Sequence, residues 1–178
     1  MESKSNILVV DDNPDKLHLI EAALSLAGYQ VTTASDGVEA LAAIVSYQPD
    51  LVIPDVMMPN MNGYEFAQRI RANPVTKFIP VIMQTAAGRR IEDLRRASEV
   101  GALGYITDPT DIDLLLARTR TLLEFKAYLD VCEEAAFTDH LTGLANRRRF
   151  ERQLEREVAR VERFEHPFTL LMIDIDNF

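Results

Sequence analysis

The chain has 178 residues, of which 47% are hydrophobic and 26% are charged, and its formal net charge at pH 7 is −9. This length can hold one well-packed domain and something smaller, and the composition is ordinary for a globular protein. The negative charge argues against unspecific binding to nucleic acid, because phosphate contacts need clustered Lys and Arg.

No apolar stretch approaches the roughly 20 residues of a membrane span, and the first residues, MESKSN, are too polar for a secretory signal. The single cysteine, Cys132, cannot form an internal disulfide. We therefore expect a cytoplasmic protein whose function involves neither a membrane nor nucleic acid.

Along the chain, short apolar runs alternate with longer segments of helical period. The predicted strands are 6–10, 30–34, 50–54, 79–83 and 103–106, and the predicted helices between them are 14–27, 36–47, 63–72 and 89–100. Strand and helix repeats with such short connections predict a doubly wound α/β fold, in which helices cover a five-stranded parallel sheet.

Three of the predicted strands end in polar residues. Asp11 and Asp12 follow the first strand, Asp55 follows the third, and Thr85 follows the fourth. The carboxyl ends of parallel strands meet at the edge where open α/β sheets bind their ligands. Clustered carboxylates need a cation between them, and an all-oxygen site suits Mg²⁺. The pattern makes Asp55 a candidate phosphoryl acceptor.

Each of these residues has a simpler explanation when it is taken alone. An acidic pair such as Asp11 and Asp12 often caps a helix, Asp55 could simply end a strand, and Thr85 could be a turn hydroxyl. The combination at neighbouring strand ends favours the metal site.

The segment 110–137 lacks Gly and Pro after Thr110 and predicts a fifth helix that continues into a linker. Leu115, Leu122 and Leu129 recur every seven residues, and Phe125 and Cys132 lie three residues after the second and third. The helix could pack on its own sheet and extend into solvent, or it could pair with a second copy of the chain. Arg118 in the seam leaves both interpretations open.

The last region, 138–178, predicts a loop, an amphipathic helix over about 147–165 and a core strand over 168–173. One helix and one strand cannot bury enough apolar surface to form a domain. We interpret this region as the beginning of a larger domain.

Residues 1–123 resemble the receiver domain of bacterial response regulators, which has a flavodoxin-like fold of the CheY type. The matching motifs are Val9-Val10-Asp11-Asp12-Asn13-Pro14, Asp50-Leu51-Val52-Ile53-Pro54-Asp55-Val56-Met57-Met58-Pro59, Asn62-Gly63-Tyr64-Glu65 and Gln84-Thr85-Ala86.

The receiver resemblance implies a set of roles. A sensor histidine kinase or a phosphotransfer protein would donate a phosphoryl group to Asp55. Mg²⁺ would be held by Asp55 and Asp12, by Asp11 through water, and by the main-chain carbonyl of Met57. Thr85 would hydrogen-bond the arriving phosphoryl group, and Tyr105 would turn inward as the switch residue.

The chain departs from the receiver pattern at Asp108, which stands where the family carries a lysine before a proline. An anion there disfavours ionisation of the nearby carboxylates when metal is absent. We expect a steep Mg²⁺ dependence and poor coupling of phosphorylated Asp55 to the switch. If Asp108 instead points to solvent, the lysine is merely absent.

Residues 138–178 are similar to the opening of GGDEF domains, the catalytic module of diguanylate cyclases. The matching motifs are Thr138-Asp139-His140-Leu141-Thr142-Gly143-Leu144-Ala145-Asn146-Arg147-Arg148 and Leu171-Met172-Ile173-Asp174-Ile175-Asp176-Asn177-Phe178. In a full-length parent, Asp174 and the Ile175 carbonyl would bind the catalytic metal. The GGDEF signature itself is absent from this sequence, so GTP would be a substrate only where a complete domain follows.

Three hypotheses of function remain. The first is a receiver that is phosphorylated on Asp55 with Mg²⁺ and regulates an attached diguanylate cyclase as a homodimer. The second is a degenerate receiver that acts without phosphate as a dimerisation or interaction module, which Asp108 favours. The third is a phosphohydrolase of the haloacid dehalogenase kind, but Asp55-Val56-Met57 lacks the second acid of that family.

Overall fold

The computed structural model describes residues 4–84, 91–107, 111–139, 141–164 and 167–174. The chain divides into two compact units, Met1–Leu129 and Asp130–Phe178.

The first unit alternates strands and helices. Its elements are β1 (Asn6–Val10), α1 (Pro14–Leu26), β2 (Gln30–Ala34), α2 (Gly37–Tyr47), β3 (Leu51–Pro54), α3 (Gly63–Ala72), β4 (Ile82–Gln84), α4 (Ile91–Glu99), β5 (Gly104–Ile106) and α5 (Ile112–Phe137), the last of which ends in the second unit.

All strand pairs of the first unit are parallel. One ladder has the order β2-β1-β3 and another pairs β4 with β5. Parallel bridges at Val52 with Val81 and at Asp55 with Gln84 connect β3 to β4. The strand order is therefore 2-1-3-4-5, which confirms the predicted doubly wound α/β fold with a parallel sheet.

Pro54 interrupts the hydrogen bonding between β3 and β4, so the sheet consists of two ladders. The N–H of Val52 donates to the Pro80 carbonyl at 3.0 Å, and the N–H of Val56 donates to the Gln84 carbonyl at 2.9 Å. In this alternation residue 54 would donate to the Ile82 carbonyl, but proline has no N–H. One rung is missing, and the regular part of β4 begins at Ile82, later than the predicted 79.

The sheet is covered on both faces, so its strands read as continuous apolar runs. Successive strand residues point to opposite faces. On one face Ile7, Val9, Leu51 and Ile53 pack with Ile20 and Leu24 of α1 and Leu115 of α5. On the other face Leu8, Val10 and Val52 pack with residues of α2, α3 and α4, including the fully buried Phe66.

Helices α1 and α3 begin at side-chain caps. The Asn13 side chain accepts from the N–H groups of Asp15 and Lys16, and Pro14 occupies the first turn, where no donor is needed. Asn62 and Glu65 form a reciprocal capping box at the start of α3. Both helices therefore begin at defined positions, directly after the loops that follow β1 and β3.

Helix α5 packs on the sheet through its first half. Leu115 is fully buried, and Leu122 and Leu123 are partly buried in the same cluster. Further along, Phe125, Tyr128 and Val131 are exposed by 47%, 68% and 67%. Among the described residues no helix is both long enough and apolar enough to cross a membrane.

In the second unit, the loop before α6 (Arg147–Phe164) is a closed turn. Thr138 pairs with Ala145 in an antiparallel bridge, and the Asp139 carboxylate accepts from the N–H and hydroxyl of Thr142 at 2.9 and 2.7 Å. These hydrogen bonds hold the pKa of Asp139 below its usual range. Gly143 has φ of 70°, which a side chain would oppose.

The predicted core strand over 168–173 was wrong for the described residues. No strand is formed over 167–174, and Leu171, Met172 and Ile173 are exposed by 78–84%. A strand is defined by main-chain hydrogen bonds to a neighbour, and the described residues of the second unit contain no regular strand that could pair with this segment. An apolar run supplies only the side-chain half of that requirement.

Candidate functional site

Asp11 and Asp55 follow β1 and β3 directly and lie at the carboxyl edge of the sheet. The Asp55 N–H donates to the Val10 carbonyl at 2.7 Å, and the Asp11 N–H donates to the Ala34 carbonyl at 3.1 Å. Strand alternation places both side chains on the face of the sheet that α1 covers. The Asp11 side chain is fully buried and the Asp55 side chain is 7% exposed.

A lysine joins the two carboxylates. The Nζ of Lys16 lies 3.2 Å from Oδ2 of Asp11 and 3.7 Å from Oδ1 of Asp55. Lys16 stands in the first turn of α1, and its side chain is 28% exposed. Its ammonium group therefore supplies positive charge to both carboxylates.

The two oxygens of Asp55 have different surroundings. Oδ2 accepts a hydrogen bond from the Met57 N–H at 2.9 Å, while Oδ1 faces Lys16. Burial raises the pKa of Asp55 above its usual value and the Asp11 carboxylate raises it further, whereas Lys16 and the Met57 N–H oppose the rise. The charged form of Asp55 is thus held in a poorly solvated place.

Lys16 responds to the same charges in the opposite direction. Partial burial alone would lower its pKa, but the Asp55 carboxylate and the hydrogen-bonded Asp11 carboxylate outweigh that effect, so the pKa of Lys16 is raised. The lysine is therefore positively charged at neutral pH.

Asp11 is tied on both sides. Its Oδ1 accepts from the Asn13 N–H at 2.9 Å, which orders the entry into α1, and its Oδ2 accepts from Lys16. Asp12 is exposed, and its negative charge contributes to the raised pKa values of Asp55 and Lys16. The acidic group therefore consists of two buried carboxylates and one that is open to water.

The first residue of α3 contacts the loop after Asp55. The Gly63 N–H donates to the Val56 carbonyl at 3.0 Å, and a β-carbon on Gly63 would lie 2.2 Å from the Asp55 carbonyl oxygen. Asn60, which has φ of 60°, donates through its side chain to Asp36, the N-cap of α2, at 2.6 Å. Two helix starts thus fix the loop that carries Met57.

Of the other predicted site residues, two lie in other parts of the described chain and three lie outside the described residues. Tyr105 lies on β5, half-buried, and packs against the core on the α2–α4 face. Asp174 belongs to the second unit and is exposed. Thr85, Asp108 and Ile175 lie outside the described residues.

Lys16 was missed by the sequence analysis, although the chain contains a signal for it. Lys16, Ile20 and Leu24 are spaced by four residues, so the lysine continues a buried helix stripe towards the start of the helix. A charged residue in that place, just after two aspartates, indicates a buried partner.

The donor chemistry of this group fits Mg²⁺. Asp11, Asp12 and Asp55 offer carboxylate oxygens, and Met57 can add a main-chain carbonyl, which are the hard ligands that Mg²⁺ takes. In the described part of the chain, however, no three acidic, His or Cys side chains already converge as a metal site. Lys16 stands between the two buried carboxylates, and the roles of these residues as metal ligands stay predictions.

Comparison of the sequence with models of protein families identifies the family to which the chain belongs. The model of the response regulator receiver domain matches residues 7–120, and the model of the diguanylate cyclase GGDEF domain matches residues 136–178. The chain belongs to the response regulator receiver family. The predicted receiver domain followed by the beginning of a GGDEF domain is thereby confirmed.

Related receivers occur in regulators with different outputs. Response regulator PleD of Caulobacter vibrioides is 41% identical over 129 residues, which cover 71% of this chain and 28% of PleD. The DNA-binding dual master transcriptional regulator RpaA of Synechocystis is 42% identical over 117 residues, covering 66% of this chain and 48% of RpaA. The chain spans about half or less of the length of these two relatives.

Solved receiver structures have the same fold. Chemotaxis protein CheY4 of Vibrio cholerae is 34% identical with a TM-score of 0.64, and the match covers 67% of this chain and 99% of CheY4. A putative response regulator from Chloroflexus aurantiacus is also 34% identical, with a TM-score of 0.65, and covers 68% of this chain and 99% of its own. The receiver domain is therefore matched over almost its whole length.

Proposed function

We propose that this receiver accepts a phosphoryl group on Asp55 in a Mg²⁺-dependent reaction and thereby regulates an attached diguanylate cyclase in the cytoplasm. The observation that supports it best is the buried Asp55 carboxylate at the sheet edge, with one oxygen held by the Met57 N–H and the other beside Lys16. The donor would be a phosphohistidine on a sensor histidine kinase or a phosphotransfer protein.

The transfer is a displacement at phosphorus. A carboxylate oxygen of Asp55 forms the new O–P bond while the P–N bond to the donor imidazole breaks, and the electron pair of that bond leaves on the ring nitrogen. The fixed loop of residues 56–62 holds the carboxylate in one orientation, and positioning supplies much of such catalysis.

Asp11, Asp12, Asp55 and the Met57 carbonyl would hold Mg²⁺, with Lys16 moving aside. Bound there, Mg²⁺ neutralises negative charge on the phosphoryl oxygens. Thr85 would donate a hydrogen bond to the transferred group, and Tyr105 would report its arrival to the surface formed by α4, β5 and α5.

Phosphorylation is tested by incubating the chain with acetyl phosphate and Mg²⁺ and separating the products on a phosphate-affinity gel. We expect the native chain to be labelled and Asp55→Asn to remain unlabelled. Asp15→Asn is the matched control, because Asp15 is an exposed carboxylate in the first turn of α1. Equal labelling of the native chain and Asp55→Asn would reject Asp55 as the acceptor, whereas no labelling of either would favour the phosphate-independent interaction module.

Asp108 remains part of the proposal because it stands at the position of the family lysine. Asp108→Lys would increase labelling or the response to it if the anion acts on the site. An unchanged result would mean that Asp108 plays no part in phosphotransfer.

The second half of α5 would connect the receiver to its output domain. It would also pair with the same helix of a second chain to form a homodimer. Phe125, Tyr128 and Cys132 lie at spacings of three and four residues and are exposed among the described residues, so they form an apolar stripe on the surface of the helix. A second copy of the same helix would bury the stripe. Such a dimer would bring two cyclase domains together in a full-length parent, with GTP as substrate and Asp174 and the Ile175 carbonyl at its metal.

Pairing is tested by light scattering during size-exclusion chromatography, with and without acetyl phosphate. We expect a dimeric mass that Phe125→Glu reduces to that of a monomer. Ala127→Glu is the control, because Ala127 is exposed on the opposite side of the helix. A monomeric native chain under both conditions would remove dimerisation from the proposal.

A further inference from the structure

We infer that Lys16 is a built-in counterion of the acidic pocket, which holds Asp11 and Asp55 together without metal and competes with a divalent cation for the same carboxylate oxygens. The competition rests on the proposed Mg²⁺ site, whereas the counterion role depends on the structure alone.

Asp11 and Asp55 share the ammonium group of Lys16. Lys16 Nζ contacts Oδ2 of Asp11 at 3.2 Å and Oδ1 of Asp55 at 3.7 Å. The remaining oxygens, Oδ1 of Asp11 and Oδ2 of Asp55, accept from main-chain N–H groups of Asn13 and Met57. Lys16 therefore occupies those oxygens that the main chain leaves free, which are the ones a metal ion would take.

Both carboxylates are buried. The side chains of Asp11 and Asp55 are 0% and 7% exposed, so water cannot screen their mutual repulsion well. Among the described residues, the ion pairs to both carboxylates come from Lys16 alone. Removing its charge leaves the two buried carboxylates without a counterion among the residues that the structure describes.

The ammonium group of Lys16 can leave the two carboxylates. The side chain is 28% exposed and carries its charge on a flexible four-carbon stem, so its ammonium group can move into water without moving α1. Mg²⁺ binding then exchanges one cation for another. Exchange makes the apparent affinity for Mg²⁺ weaker than that of a pocket without the lysine.

The test compares the native chain with Lys16→Met, which preserves the length of the side chain and removes its charge. Thermal unfolding is followed in EDTA and in Mg²⁺, and the dissociation constant for Mg²⁺ is measured by titration calorimetry. In EDTA we expect Lys16→Met to melt at a lower temperature than the native chain. Mg²⁺ should then raise its melting temperature by more, and the dissociation constant should fall by roughly tenfold.

Two further variants isolate the cause. Lys77→Met makes the same charge change in the loop before β4, at the amino edge of the sheet and away from the pocket, where the lysine lies over the Phe78 ring. It should leave the Mg²⁺ affinity unchanged. Lys16→Arg restores the charge and should return both values towards those of the native chain.

A Lys16→Met chain that melts like the native chain in EDTA would overturn the counterion role, and an unchanged Mg²⁺ affinity would overturn the competition. If it does not fold in either condition, the Mg²⁺ affinity of Lys16→Gln decides in the same way. The proposed function fails differently. An absence of Mg²⁺ response in both the native chain and Lys16→Met removes the metal site together with the competition, and labelling of Asp55→Asn removes the acceptor.

Discussion

Gly63 lies directly against the main-chain carbonyl of Asp55, so that a β-carbon on Gly63 would be 2.2 Å from the carbonyl oxygen. The same glycine donates its N–H to the Val56 carbonyl at 3.0 Å and is the first residue of α3. The start of α3 can approach the acceptor loop this closely only because residue 63 has no side chain.

Gly63→Ala should therefore displace α3 from the loop and destabilise the receiver by about 1–3 kcal/mol, the usual range for an overpacked site. Chemical denaturation gives the free energy of unfolding, and labelling with acetyl phosphate reports the displaced acceptor. Gly104→Ala is the matched control, since its nearest neighbour would be the Ile82 side chain at 3.4 Å. Equal losses in the two variants would contradict a specific role for the contact at Asp55.

Asp55→Asn should raise the melting temperature at neutral pH in EDTA. The folded pKa of Asp55 is raised, mainly by burial, so the ionised carboxylate lowers stability at pH values above that pKa. As the pH falls through the raised pKa, the native state takes up the proton and the cost is relieved. The advantage of the asparagine should consequently shrink towards pH 4.

Melting curves of both proteins between pH 4 and pH 8 check this expectation. Asp15→Asn is the control, because Asp15 is an exposed carboxylate in the first turn of α1. A stability difference that is constant with pH would show that ionisation of Asp55 is not its cause.

Pro54→Val should strengthen the connection between β3 and β4. The new N–H can donate to the Ile82 carbonyl, and one main-chain hydrogen bond is worth about 1 kcal/mol. The more flexible unfolded chain would offset about 0.4–1 kcal/mol of that gain. Hydrogen exchange gives the direct measurement, with slow exchange expected at the new amide and slower exchange at Val56, whose N–H already bonds to Gln84. Fast exchange at residue 54 would mean that the strands do not close.

Arg71 joins α3 to the turn before β5. One terminal nitrogen of its guanidinium donates to the Lys77 carbonyl and the other donates to the Gly101 carbonyl at 2.5 Å. Arg71→Lys cannot make both bonds with the same geometry, so we expect a loss of about 1–3 kcal/mol in the free energy of unfolding. Arg69→Lys, at an exposed position of the same helix, should change stability by less than about 0.5 kcal/mol.

Much of the receiver could be predicted because its local patterns and its fold agree. Fully apolar runs such as Leu51–Ile53 indicate strands buried on both faces, and caps such as Asn13 and Asn62 mark helix starts. The order of these elements, with short connections, leaves a doubly wound parallel sheet as the simplest arrangement. Acidic residues after two strands then indicated where Asp11 and Asp55 would meet.

Other features depend on neighbours that are distant in sequence. Apolar character over 168–173 did not produce a strand, because a strand needs hydrogen-bonding partners as well as side chains that suit burial. The late start of β4 at Ile82 follows the turn before it, in which the Ile79 N–H donates to the Thr76 carbonyl and not to a strand.

The sequence by itself determined the alternation of strands and helices, the strand ends that carry Asp11 and Asp55, and the family to which the motifs belong. Only the tertiary structure decided that Lys16 shares its charge between these carboxylates. Its contact with Asp55 joins α1 to the end of β3, and the packing of α1 on the sheet sets that distance. Spacing along the chain predicts which face of a helix or strand a residue occupies. Which charged residues come into contact depends on how the helices pack on the sheet.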